Sequence, residues 1–174
     1  VSETSYDLLE VISSDTQGPF PVLAFDGTCN NVKFIDSKSN YCKMETISDR
    51  EAATVLLAFK RFQARMERRT GKLIKNIRTD MGTEYMGEFV DYLEESGIVK
   101  QKGNAYSHVH PGKAERVHQS IMHKARAMLI ESKLPTRYYA HAQLTASYLH
   151  NRLVHGIATT TPYEQVYGKQ AYVK

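Results

Sequence analysis

The sequence predicts one mixed α/β domain, a β-sheet with helices on its faces. Short apolar runs bounded by turn residues come first, and further runs then alternate with longer stretches whose apolar residues recur at helical spacing. The chain of 174 residues, 41% of them hydrophobic, is also long enough to bury a core in one domain. No apolar run approaches the roughly 20 residues that a bilayer span requires, so no membrane partner is expected.

Tyr6 to Ser14 holds Leu8, Leu9, Val11 and Ile12. The polar Ser13, Ser14 and Asp15 and a Gly18, Pro19 turn follow, which reads as a buried strand delivering Asp15 to its end. Phe20 to Asn31 carries no clear pattern. Val32 to Asp36 and Tyr41 to Thr46, separated by Ser37, Lys38, Ser39 and Asn40, read as an antiparallel hairpin. Ser48 and Glu51 have the capping-box spacing, in which hydroxyl and carboxylate each satisfy an orphan backbone N–H, so a helix is expected to start there. Its apolar positions are Ala52, Val55, Leu56, Phe59, Phe62 and Met66, and Arg68, Arg69 and Gly71 suit its C-terminus.

Leu73 to Arg78 reads as the next strand, with Asp80 just beyond it. Gly87 to Ser96 is a shorter helix that buries Phe89, Val90 and Leu93 and stops at Gly97, and Ile98 to Lys102 is a fifth strand. After a polar loop, Gly103 to Pro111, a long helix runs from Gly112 to Ser132. At about 100° per residue its Ala114, Val117, Ile121, Ala125 and Met128 share one side, while Glu115, Gln119, His123 and Arg126 share another. Leu134 and Pro135 break the chain before a helix over Thr136 to Arg152. Thr161, Pro162 and Glu164 combine an N-cap, a Pro at N1 and a Glu at N3, which starts a short last helix.

Two acids follow apolar strands, Asp15 and Asp80, and a third, Glu115, opens a helix away from its apolar stripe. Carboxylates placed so converge on hard divalent cations, Mg²⁺ or Mn²⁺. Two such ions activate the attacking oxygen and stabilise the leaving oxygen of an in-line phosphoryl displacement. Charge supports a polyanionic partner. From Gly112 to His155 seven Lys or Arg face two Glu, and five of the seven histidines lie in the same stretch. Clustered Lys and Arg bind nucleic acid by releasing its counterions, and Lys113, Arg116, Lys124 and Arg126, with Gln119 and His123 beside them, are the expected phosphate contacts. His108 and His110 have no third ligand at a suitable spacing and read as loop residues near DNA. Cys29 and Cys42 form neither a disulfide framework nor a zinc half-site, so a reduced, intracellular setting is expected.

These motifs resemble the catalytic core of retroviral-type integrases, above all those of copia-type LTR retrotransposons. RTDMGTEY around Asp80 is similar to that family's Arg-Ser-Asp-Asn-Gly-Gly-Glu-Tyr block, and GKAER around Glu115 to its Asn-Gly-Val-Ala-Glu-Arg block. SSDTQGPFP resembles the block of the first catalytic Asp, and KFIDSKS one whose Asp36 is not catalytic. LPTRYYAHAQLTASYLHNR and TPYEQVYGKQ resemble the segments after the catalytic Glu. The likeness spans about Leu8 to Gln170.

The resemblance implies a ribonuclease H-like fold, a five-stranded mixed sheet flanked by helices, with Asp15, Asp80 and Glu115 as catalytic and metal-binding triad and two Mg²⁺ or Mn²⁺ ions as cofactors. It implies cleavage near the 3′ ends of element DNA and attack of the new 3′-hydroxyl on target DNA, without a covalent enzyme intermediate. Double-stranded DNA, a second core in a homodimer, higher assembly of the full-length chain and a host tethering factor are the implied partners, and the nucleus, after a cytoplasmic particle stage, the implied location. Residues 1–174 are expected to be the core alone, excised from a longer protein, without the family's N-terminal zinc domain or C-terminal domain. Three departures stand out: 34 residues lie between Asp80 and Glu115, one fewer than usual; Met81 replaces an Asn; and His108 to Gly112 replace Pro-Gln-x-Asn-Gly. They leave open an alternative, a non-catalytic integrase-derived DNA-binding or protein-interaction module. A ribonuclease H is a third reading by fold alone, against which the copia-like ending argues.

Overall fold

The computed structural model describes residues 6–102 and 112–172, so the expectations placed on His108, His110 and their loop lie outside the described residues. Five strands form one sheet in the order β3-β2-β1-β4-β5: β1 (Val11–Gln17), β2 (Asn30–Asp36), β3 (Cys42–Ile47), β4 (Asn76–Thr79) and β5 (Val99–Lys102). β1 to β3 make an antiparallel meander, whereas β4 runs parallel to β1 and β5 parallel to β4. This is the mixed five-stranded sheet that the sequence predicts.

β1 departs from its expected bounds. Asp15 lies inside the strand rather than past its end, because β1 runs on to Gln17 in register with β2. The polar Ser13, Ser14 and Asp15 do not break it, since ladder bonds come from the backbone and the buried Ser14 hydroxyl pairs with the Tyr85 hydroxyl at 2.9 Å.

β2 is buried along its whole length, and its alternate side chains feed two cores. Val32 and Phe34 face α1 (Ala52–Thr70), whose Val55, Phe59, Phe62 and Met66 share a cluster with Ile12, Ile77 and, on α2 (Glu88–Glu95), Phe89 and Leu93. Phe34 stacks on Phe62 with ring centroids 4.9 Å apart. Ile35, together with Cys42 and Met44, faces α3 (Lys113–Ser132) and α4 (Tyr139–Arg152) through Val117, Ile121, Ala125, Ala142 and Ala146. The apolar stripe read from the α3 sequence is thus the one that docks.

α1 ends as expected, at Gly71 with φ 68° and its N–H on the Glu67 carbonyl. Its start differs: Glu51, not Ser48, is the N-cap, and no capping box forms. The intervening Asp49 takes both groups, accepting from the Glu51 N–H at 3.0 Å and from the Ser48 hydroxyl at 2.7 Å.

The polar side of α4 is used structurally. Asn151 both accepts from the Cys42 N–H (2.8 Å) and donates to its carbonyl (2.7 Å), so the helix continues the bonding of strand β3. The chain then returns to the first core through α5 (Pro162–Tyr167), where Val166 is buried and the Tyr167 and Tyr41 hydroxyls meet at 3.2 Å. The capping box expected at Thr161 is present, with Thr161 Oγ1 accepting from the Glu164 N–H and Glu164 Oε2 from the Thr161 N–H. Thr161→Ala should therefore cost about 1 kcal/mol, read as a lower urea midpoint with an unchanged slope.

Candidate active site

The parallel pairing of β1 with β4 sets the site. Ser13 is in register with Arg78, the last pair of that ladder, so Asp15 and Asp80 each lie two residues beyond it, Asp15 near the end of β1 and Asp80 just past β4. Their charges reach the same groups, Lys33, Arg50 and Tyr85. Asp80 is exposed just past β4, and its Oδ1 accepts from the Gly82 N–H at 3.0 Å, which turns the chain away from the sheet.

Asp15 is half exposed, 51% of its side chain being open to solvent, and it is already paired. It sits directly opposite Lys33 of β2, and the Lys33 ammonium stands 2.6 Å from Asp15 Oδ2. Lys33 shares the α3-facing side of β2 with Ile35 and is only 2% exposed. Its ammonium also lies 2.6 Å from His118 Nδ1 on α3. Burial pushes the Lys33 ammonium below the usual lysine range, against the pull of Asp15. Burial and the Lys33 charge together bring His118 down to about 4, so near neutral pH its imidazole is uncharged and Nδ1 accepts a hydrogen bond from the Lys33 ammonium.

A fourth acid, Glu84, was not singled out from the sequence, although it stands in the RTDMGTEY block. It belongs to a single helical turn, Thr83–Tyr85, that the sequence reading missed, and it is 3% exposed. Its Oε1 accepts from Thr16 Oγ1 of β1 and from Arg50 Nε (3.3 Å) and Nη2 (2.7 Å), while Arg50 Nη1 donates to the Gly18 carbonyl at 3.1 Å. This bridge ties the end of β1 to the turn carrying Asp80. Gly82 leaves room for both acids: a Cβ there would lie 2.5 Å from Glu84 Oε2 and 3.0 Å from Asp80 Oδ1.

Glu115 lies in the first turn of α3, exposed, and accepts from Gln119 Nε2 at 3.3 Å. It is one turn before His118, so the helix that carries it is tied to Asp15 through Lys33. Of the expected phosphate contacts Arg116, Gln119, His123 and Arg126 are exposed; Lys124 is half-buried, and burial lowers its pKa. Lys113 begins α3, and its side chain lies outside the described residues.

The donor chemistry fits a hard divalent cation, because Asp15, Asp80 and Glu115 offer only oxygen and each keeps solvent access. The three are not gathered: among the described residues no three Asp, Glu, His or Cys side chains stand close enough to hold one ion. Asp15 and Asp80 lie at corresponding positions beyond the β1–β4 ladder, and Glu115 lies on the first turn of α3.

No family model matches the chain. Over 152 residues, 87% of the chain, it is 35% identical to the retrovirus-related Pol polyprotein from transposon TNT 1-94 of Nicotiana tabacum, and over 170 residues, 95% of the chain, 29% identical to that from transposon RE2 of Arabidopsis thaliana. It spans 11% of the length of each. Among solved structures it is similar to the catalytic core domain of BIV integrase (TM-score 0.66, 19% identity, 91% of this chain and 93% of that one). It is also similar to the HTLV-2 integrase catalytic core domain in complex with magnesium (TM-score 0.65, 16% identity, 91% and 96%). The relatives of this chain are copia-type retrotransposon Pol polyproteins, and its fold is the ribonuclease H-like fold of integrase catalytic cores.

Proposed function

We propose that this chain is the catalytic core of a retrotransposon integrase, a metal-dependent polynucleotidyl transferase that joins element DNA 3′ ends to target DNA by in-line attack. The observation that carries this reading is the register of β1 and β4, which takes Asp15 and Asp80 to corresponding positions beyond one parallel ladder, in a fold shared with integrase cores. Asp15, Asp80 and Glu115 would hold Mg²⁺ or Mn²⁺, two ions in the active complex, and a bound ion would supply Lewis-acid activation and charge neutralisation at the reacting phosphate. The chain's own residues do the rest. The Glu84 and Arg50 bridge fixes the Asp80 turn against β1, and the exposed Arg116, Gln119, His123 and Arg126 of α3, with Lys113 and Lys124, receive the phosphates of double-stranded DNA.

In this reading the core acts as one domain of a longer nuclear protein, paired with a second core, assembled further through the full-length chain and tethered by a host factor. One observation favours a second reading, a non-catalytic DNA-binding or protein-interaction module: an Asp15 oxygen already holds a buried ammonium.

The test is a strand-transfer and disintegration assay on element-end DNA with Mg²⁺ or Mn²⁺. Asp80→Asn and Glu115→Gln should each lower activity by roughly a hundredfold or more, since metal-supported charge stabilisation is worth several kcal/mol. Equal activity in the native chain and both variants would remove the triad from the reaction. No metal-dependent cleavage by the longer native protein would favour the binding module.

A further inference from the structure

The unexpected group at this site is a cation. A lysine ammonium in a protein interior is stable only with a carboxylate and hydrogen-bond acceptors around it, and Lys33 has one of each, Asp15 Oδ2 and His118 Nδ1, both at 2.6 Å. Glu84 likewise has its own cation in Arg50. Asp80 is different: among the described residues it makes no ion pair, and its Oδ1 meets only the Gly82 N–H. Among the described residues, then, Asp15 and Glu84 each have a cation of their own and Asp80 has none.

We propose that Lys33 is the resident counter-cation of Asp15, so that a divalent ion bound through Asp80 extends to Asp15 only by displacing the Lys33 ammonium. The proposal rests on the reading of Asp15 and Asp80 as metal ligands. The same ammonium is bonded to His118, one helical turn from Glu115. Displacing it therefore also breaks this polar tie between β2 and the second turn of α3, which stays docked through Val117 and Ile121, and lets the exposed Glu115 side chain approach when the ion arrives. Lys33 is thus a positioning residue that couples ion entry to the placement of Glu115.

Competition makes the coupling measurable. The incoming ion must offset the cost of leaving Lys33 buried without its carboxylate, which weakens ion binding by an order of magnitude or more. Lys33→Met keeps the length and apolar stem of the side chain and removes the charge, while Asp15, half exposed, stays solvated. Mn²⁺ binding, followed by electron paramagnetic resonance of the free ion, should therefore be about tenfold or more tighter in Lys33→Met than in the native chain. Adding Asp15→Asn to that variant should abolish the gain.

Equal affinities in the native chain and Lys33→Met, with binding lost in Asp80→Asn, would overturn the Lys33 proposal and leave the metal site standing. No Mn²⁺ binding by either chain, both shown folded by circular dichroism, would overturn the metal reading and this proposal with it. A measurement on the native chain covers the case in which Lys33→Met does not fold. Saturating Mg²⁺ should shift the nitrogen-15 resonance of His118 Nδ1 as its bond to Lys33 breaks, whereas Mg²⁺ binding that leaves this resonance in place would overturn the displacement.

Discussion

Asp36→Ala is expected to destabilise the chain by about 3 kcal/mol, a fall in melting temperature of roughly 6–12 °C for a domain of this size. Asp36 is fully buried at the end of β2, where Oδ1 accepts from the Leu9 N–H at 2.9 Å and Oδ2 from the Ser39 N–H (2.7 Å) and hydroxyl (2.6 Å). Two features depend on it. The tight turn into β3 includes Asn40 at φ 59°, and the chain enters β1 through Leu9 at φ 64°, a conformation that a branched side chain adopts only when its surroundings impose it. Alanine would leave two buried backbone donors without acceptors, each costing about 1–3 kcal/mol. Asp36→Asn keeps one acceptor oxygen and should lose about half as much. Urea unfolding of both variants is the check, and a loss below about 1 kcal/mol for alanine would mean that the carboxylate is not the staple. Within KFIDSKS, Asp36 thus serves the fold, by bonding the chain before β1 and the turn into β3.

Arg50→Met should cost about 2 kcal/mol at neutral pH. Removing one partner of a fully buried ion pair costs roughly 3–5 kcal/mol; the Arg50 side chain is 39% exposed, so water compensates part of the loss. The pH dependence identifies the cause. Burial alone would raise the Glu84 pKa, but bonds from Thr16, its own backbone and Arg50 outweigh it and hold the carboxyl below its ordinary value of 4.5. A depressed carboxyl contributes stability that is complete above that ordinary value and is lost as pH falls through the lower native one. The difference between native chain and variant should therefore be widest near neutrality and close as pH falls below the ordinary glutamate range, where a protonated Glu84 no longer needs a cation. Thermal melts across that range would show it, and a gap independent of pH would assign the effect to lost packing of Arg50 instead.

Sequence periodicity revealed the elements whose burial is one-sided. Val55, Phe59, Phe62 and Met66 on α1, and Val117, Ile121 and Ala125 on α3, repeat at helical spacing because each helix meets the sheet along a single stripe. The central strands were less legible. The strand expected over Tyr6 to Ser14 stops short of the observed end of β1, because its polar residues read as a break, yet the backbone ladder to β2 runs on to Gln17 and Tyr85 satisfies Ser14. Two capping boxes of the same spacing had opposite outcomes: Pro162 fixes the backbone at the start of α5, whereas Asp49 intercepts the groups of Ser48 and Glu51.

At the site, the positions of Asp15 and Asp80 followed from apolar runs and a motif. Lys33 did not, because a single lysine in VKFID reads as an outward-facing residue of a half-exposed strand, and nothing local to β2 announces that α3 will cover it. Glu84 was hidden for a related reason: its partners Thr16 and Arg50 are remote in sequence and meet it only once β4 has joined β1.

The sheet order also fixes a sequence of assembly. β1, β2 and β3 follow one another in the chain, with connections of 12 and 5 residues, so the meander is expected to form ahead of the longer-range pairing of β1 with β4. Val11 can meet Asn76 only after the chain has closed a loop holding β2, β3 and all of α1. On this order Asp15 is expected to gain its Lys33 partner before Asp80 arrives, so that Lys33, the buried member of the pair, has its carboxylate from the first pairing the chain makes.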